Sequence, residues 1–233
     1  MRCNRTRLFA MKPKAFLILL VVCSGALAIL PACNILVPVV YAVEGTGKNP
    51  AEHVLEPINT LVFVDDQRNV LPRTVLRAKF AEMLSKSLVA VELVPQTVDP
   101  IDVMALVRSR ERNGNRMSIE SIAKEAGVKQ VIFIEMETFS MTDEGWIPRP
   151  NASCLVKVLD IEKGERAYPS HEVGMLGGRR TKVQMREISP ERIQGASNRR
   201  GIEMTLITTL SVDVLKLFQE HEALDLGDRL NAK

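Results

Sequence analysis

The chain has 233 residues, 46% hydrophobic and 25% charged, the balance of one ordinary globular domain with at most a small appendage. Aromatic residues make up 4%, so the core is built from Val, Leu, Ile, Met and Ala, and stacking platforms for single-stranded nucleic acid are scarce. The formal net charge of +3 misleads, because Arg2, Arg5, Arg7, Lys12 and Lys14 precede residue 33 and no acidic residue does. Cleavage before Cys33 leaves 26 basic residues against 28 acidic, a net charge of −2, which argues against nucleic acid as the main partner.

Residues 15–43 carry no charge and come after a basic stretch. A basic region, an apolar run and a small-residue cleavage site make a secretory signal. Met11 is an alternative start, with Lys12 and Lys14 directly before AFLILLVVCSGALAIL. The residues Leu30, Pro31, Ala32 and Cys33 resemble the lipobox of bacterial lipoproteins, with Pro31 in place of the usual small residue. The resemblance implies cleavage before Cys33, diacylglycerol on its thiol and anchoring in a membrane lipid layer, with amine acylation as a second signal. Two other readings stay open. One is ordinary cleavage after Ala42; the other is an uncleaved membrane span, long enough but interrupted by Pro31 and Pro38. All three place the rest of the chain outside the cytoplasm. Asn34 after Cys33 slightly favours the outer membrane over the inner, by analogy with enterobacterial lipoproteins.

The expected organisation is a signal over 1–32, a lipidated tether over 33–57, a domain over 58–224 and a flexible tail over 225–233. The tether carries Pro38, Gly45, Gly47, Pro50 and Pro57 and no periodicity. Its first part, NILVPVVYAV, is unusually apolar and suits a membrane surface or a packed segment. Thr60–Val64 reads as a buried strand. Pro72 to about Val91 reads as a helix, with Leu76, Phe80, Met83, Leu84 and Leu88 in one apolar stripe. Glu92–Pro95 reads as a short strand. Asp99 and Pro100 open a second helix lined by Ile101, Met104, Ala105 and Val107 or Arg108, broken by ERNGNR at 111–116. Ser118 caps a short helix that ends at Gly127. Gln130–Thr138 is the strongest strand, and residues 139–150 form a loop. Ala152–Ile161 is a strand, turned at Lys163 and Gly164 into a shorter one near Tyr168. Segment 172–188 adds a weaker strand, residues 189–201 read as loop, and Ile202 to about His221 as a final helix. The predicted fold is α/β (α+β): a mixed sheet packed with three to four helices.

This order, and in particular IAKEAGVKQVIFIE (122–135), resembles the small α/β domain at the N-terminus of TolB and in the curli secretion lipoprotein and penicillin-binding-protein activators. The likeness covers residues 58–220 and implies a binding or assembly protein of the cell envelope. CNILVPVVYAVEG with VFVDDQRNV after it also resembles lipoproteins of planctomycete bacteria, which implies lineage and location. A pore of amphipathic strands needs about ten residues with an unbroken lipid-facing side. The candidate, 171–188, carries Arg179, Arg180 and Lys182 at its middle.

No catalytic constellation, cofactor motif or metal-ligand spacing is recognisable. His53, His171 and His221 are scattered and read as surface residues. Gly45, Thr46, Gly47 and Lys48 mimic a phosphate loop, but Ala42 and Asn49 stand where Gly and Ser or Thr belong. Cys154 reads as a small buried strand residue, or as one half of an intermolecular disulfide. Asp65 and Asp66 end a strand, where α/β proteins place sites, but such residues more often terminate the strand and cap the next segment. Glu135, Glu137 and Asp160 mark a solvated strand face or a carboxylate patch. Arg179 and Arg180, with Arg199 and Arg200, form basic loop patches suited to an acidic partner or anionic headgroups. Trp146 is an isolated loop aromatic: exposed, it anchors an interface; tucked in, it is packing. The expected function is therefore non-enzymatic binding of an unidentified envelope protein, with Trp146, Arg179 and Arg180 as candidate contacts. The alternatives are an enzyme assembled around Asp65, Asp66 and Glu135, and a secretion-linked oligomer.

Overall fold

The computed structural model describes residues 48–110, 116–143, 147–170 and 177–222. The chain divides into two units, one of Met1–Asn49 with Glu222–Lys233 and one of Pro50–His221. Cys33, Trp146, His171 and the tail from 225 lie outside the described residues. The second unit holds the α/β domain.

Five strands form one mixed sheet: β1 Thr60–Asp65, β2 Gln130–Ser140, β3 Asn151–Asp160, β4 Glu165–Tyr168 and β5 Arg179–Gln184. β1 and β2 are parallel, with Thr60 opposite Gln130 and Asp65 opposite Glu135. β2 and β3 are antiparallel and carry a bulge between Met136 and Thr138. β3 then pairs with β4 at one end and β5 at the other. Between β1 and β2 run three helices, α1 Val75–Ala90, α2 Pro100–Arg110 and α3 Ile119–Glu125. After β5 come α4 Pro190–Gln194 and α5 Ala196–Leu215. The fold class is the expected one, α/β with a mixed sheet, but with five helices among the described residues rather than three or four.

Strand alternation sorts the apolar residues between two layers. On one face Val62, Val64, Ile132, Ile134 and Met136 meet Leu76, Phe80, Leu84 and Leu88 of α1 and Leu206, Ile207, Leu210 and Val214 of α5. The α1 stripe is the one read from the sequence, and Met83 packs at its margin. Each such buried side chain contributes roughly 1.5–3 kcal/mol against exposure. On the other face Leu61 and Val131 meet Val103, Ile122, Ala123 and Val128 of the α2–α3 layer. That layer covers the start of β1 and β2 only. Farther along the same face Phe63, Phe133 and Leu155 are half-buried.

Three local expectations are corrected. Glu92–Pro95 is no strand: Glu92 takes φ 59°, closing α1, and only Thr97 meets β1, in a single bridge to Thr60. The inward side of α2 is Pro100 and Val103, with Val107 at its margin, whereas Ile101 is 57% exposed and Ala105 is exposed. Asp99 does cap this helix, its Oδ1 accepting from the Ile101 amide at 2.8 Å. Residues 190–194 and 196–200 are helical rather than loop, because Pro190 sits in the first turn of α4 behind Ser189 and α5 starts at Ala196, with an extended Gly195 between them. Their polar side chains face solvent, which conceals the helices from a reading of apolar periodicity. The Ser118 cap, the Gly127 turn at φ 71° and the Gly164 turn at φ 67° stand where expected.

Candidate functional site

The two ends of the sheet differ in character. At the end where the chain reaches β1, the Glu52 and His53 amides both donate to the Leu217 carbonyl, at 2.9 and 3.1 Å. The Glu52 carboxylate accepts Arg179 Nε and Nη2 at 2.7 Å each and the Tyr168 hydroxyl at 2.6 Å. The His53 ring stacks on Tyr168 at 5.1 Å and lies edge-on to Phe218 at 6.4 Å. Gln130 joins this segment to the sheet, accepting from the Glu56 amide at 3.1 Å and donating to Thr60 Oγ1 at 2.8 Å. Residues 52–56 are thus fastened to the domain. Arg179 is the clasp, and His53 is half-buried rather than a surface residue.

Arg179, then Tyr168, holds the Glu52 carboxyl below its ordinary value of 4.5, against the opposing effect of burial. Burial holds His53 below 6.5, opposed by Glu56. For Glu52 the stabilisation is present above 4.5 and lost as pH falls through the lowered folded value. For His53 the unfolded ring takes up the proton first, so stability falls as pH drops below 6.5. Both signs agree. Acidification from pH 7 to 4.5 is expected to lower the hydrogen-exchange protection factors of the Glu52 and His53 amides, and Glu52→Gln to lower them at both pH values.

Toward the other end of β1, where β2 continues beyond it, lies a cleft of about 550 Å³. Phe63 and Phe133 stand side by side on its floor, rings 6.1 Å apart and 14° from parallel, with Lys157 Nζ 5.5 Å over Phe133. Asp65, Asp66, Arg77 and Arg116 stand around it. The parallel register brings Asp65 beside Glu135, as an acidic site would need. The carboxylates are nonetheless engaged in holding the fold. Asp66 is 8% exposed and accepts from the Val70 amide at 2.8 Å and the Leu71 amide at 3.1 Å, shaping the β1–α1 loop in which Asn69 takes φ 50°. Asp65 lies 3.9 Å from Arg77, whose guanidinium also donates to the Val64 carbonyl, and Glu135 lies 3.8 Å from Lys157.

The other carboxylates read from the sequence do not join them. Glu137, in the bulge, binds Arg180 through two bonds of 2.6 and 2.7 Å. Asp160 pairs with Lys163 opposite Gln130, at the start of β2, five residues from Glu135 and so about 17 Å away along the strand. Among the described residues no three His, Cys, Asp or Glu side chains gather as a metal site. Cys154 is buried and free, and burial pushes its thiol pKa far up, so it behaves as a small apolar residue. No helix of the described residues is long and apolar enough to cross a membrane.

No protein-family model matches the sequence, and no curated protein matches it. Solved structures do resemble it. The PelC dodecamer protein of Paraburkholderia phytofirmans aligns over 74% of this chain and 96% of its own at 12% identity, with a TM-score of 0.41. Protein XCC0632 of Xanthomonas campestris aligns over 72% and 86% at 8% identity, with a TM-score of 0.43. The lipoprotein GNA1162 of Neisseria meningitidis aligns over 69% and 99% at 11% identity, with a TM-score of 0.37.

Proposed function

We propose that the chain is an exported lipoprotein, cleaved before Cys33 and acylated there, whose α/β domain binds another protein of the cell envelope. The tether is then 33–57, its last residues clasped to the domain through Glu52, and Asn34 favours the outer membrane. The observation that carries the binding reading over an enzyme is the employment of Asp65, Asp66 and Glu135. Each is committed to a backbone amide, an arginine or a lysine of the fold, so none is left as a poised acid or base. What the domain offers instead is a half-uncovered sheet face, with Phe63, Phe133 and Leu155 beside the Arg180–Glu137 pair, and a cleft at its edge. Apolar patches framed by ion pairs suit protein recognition. Arg180, with a side chain 66% exposed, contributes a polar contact on this face, and Trp146, outside the described residues, is kept as the proposed aromatic contact. Arg179 serves the clasp.

The anchor is tested by radiolabelled fatty acid fed to a bacterial host expressing the native chain and Cys33→Ser. Label on the native chain, lost in the variant together with its membrane fractionation, is the expected result. Equal label on both, or none on either, removes the lipoprotein reading.

A further inference from the structure

The two edges of the sheet differ. On the outer side of β1 the Thr60 amide donates to the Gln96 carbonyl and the Thr60 carbonyl accepts from the Val98 amide, both at 3.2 Å. Arg77 Nη2 donates to the Val64 carbonyl at 3.2 Å, and Val62 between them is 1% exposed. That edge is closed. β5 forms the edge beyond β3 and pairs with it in regular register from Arg179 to Gln184. The Met185 amide donates to the Pro150 carbonyl at 2.8 Å. Antiparallel ladders alternate, so Val183, Thr181 and Arg179 also turn their amides and carbonyls toward β3, and Gln184, Lys182 and Arg180 turn theirs outward. All three are exposed, and their outward backbone groups bond to no described residue.

An open row of amides and carbonyls is a template for a further strand, and proteins guard such rows with proline, bulges or charge. β5 has no proline and no bulge, so its guard is charge. Arg180, Lys182 and Gln184 share its solvent-facing side. Arg180 is bound to Glu137 and Gln184 to Asp143, whereas Lys182 has no side-chain hydrogen bond or ion pair among the described residues. A second copy of β5, laid antiparallel about a two-fold axis, sets Lys182 on Lys182 or Arg180 on Lys182, and one step farther Arg180 on Arg186. Like charges directly opposite are unfavourable, so the edge rejects its own copy. An extended segment with a carboxylate opposite Lys182 meets no such opposition and supplies the counter-charge that Lys182 lacks.

We propose that the outer edge of β5 is a strand-addition site for an extended segment of another protein, paired backbone to backbone with Arg180, Lys182 and Gln184 and carrying a carboxylate opposite Lys182. This names how the partner of the binding function above is held, and rests on that reading for the existence of a partner.

The test follows amide exchange by NMR in the nitrogen-labelled full chain in neutral detergent. The probe is a capped peptide of alternating threonine and valine with one central glutamate. In the free protein the Arg180, Lys182 and Gln184 amides are expected to exchange about tenfold or more faster than those of Thr181 and Val183. Saturating peptide is expected to slow the three by about tenfold or more, and methylating the glutamate amide of the peptide to abolish the effect. Lys182→Pro removes an outward amide and no bond to β3, so it should weaken binding about tenfold or more in a protein that melts as a folded domain. Lys182→Glu should reverse the preference, binding a lysine-centred peptide more tightly than the glutamate-centred one. Three amides that stay fast with peptide, or binding unchanged in folded Lys182→Pro, overturn the proposal. So does protection of the same amides by self-association without peptide. Binding that shifts Phe63 and Phe133 but leaves the three amides fast overturns the edge site and leaves the protein-binding function standing. None of these readouts depends on Cys33, so the fatty-acid result stands or falls separately.

Discussion

Replacing Phe80 with alanine is expected to destabilise the domain by about 3–5 kcal/mol, the range for removing a fully buried phenylalanine. Phe80 is 0% exposed in the middle of α1 and belongs to the layer that joins α1 and α5 to the sheet. Truncation removes both its transfer free energy and the contacts of its neighbours, and the flanking Leu76, Leu84, Ile132 and Leu206 are themselves fully buried and held by regular structure. A domain of this size has a total stability on the order of 5–15 kcal/mol, so the variant should sit near the edge of folding. A fall in melting temperature of roughly 6–20 °C is the corresponding readout at about 2–4 °C per kcal/mol. Val89→Ala on the same helix, at a position 38% exposed, should change the melt by less than about 0.5 kcal/mol. Similar losses from the two changes would contradict the assignment of the inward face.

The second large effect concerns a charge. Glu203 is 3% exposed on α5, and its carboxylate accepts Arg73 Nε at 2.8 Å, with Arg199 Nε 3.6 Å away on its other oxygen. Removing one partner of a buried pair costs about 3–5 kcal/mol, because the remaining charge is left without compensation. Arg73 is 36% exposed and Arg199 stays near, so Arg73→Ala should lie at or below the low end, at about 2–3 kcal/mol. The pairing makes a sharper prediction. Adding Glu203→Gln to Arg73→Ala removes the stranded charge and should restore part of the stability, which denaturant unfolding of the single and double variants can measure. A double variant less stable than Arg73→Ala alone would assign the loss to packing of the arginine stem instead.

Much of this architecture is legible in the residues because local and tertiary demands coincide. TLVFV reads as a buried strand, and in the structure Leu61 and Val62 face different layers. The α1 stripe, the Ser118 cap and the Gly127 turn are local signals that packing leaves in place. α4 and the start of α5 are hidden because their residues are mostly polar and exposed, although Ser189, Pro190 and Glu191 form a usable helix-start signal for α4. Glu92–Pro95 fails as a strand for the opposite reason, since its left-handed Glu92 ends a helix instead. The clasp has no local signature: Glu52 lies 116 residues from Tyr168 and 127 from Arg179 in sequence. Nothing in the neighbourhood of either residue links them, so Arg179 alone reads as a basic loop residue. The cleft needs the register of β1 on β2, which sets Phe63 beside Phe133 and Asp65 beside Glu135. The residues show where the carboxylates are, but not that Asp66 caps its own loop.

The central claim, an exported chain held by lipid at Cys33, is tested most directly by the intact mass of the protein extracted from membranes in detergent. The expected mass is that of a chain beginning at Cys33 and carrying a diacylglyceryl group, with or without an acylated amine. A mass beginning at Val43, or one that retains the apolar segment from Met1 or Met11, would contradict it.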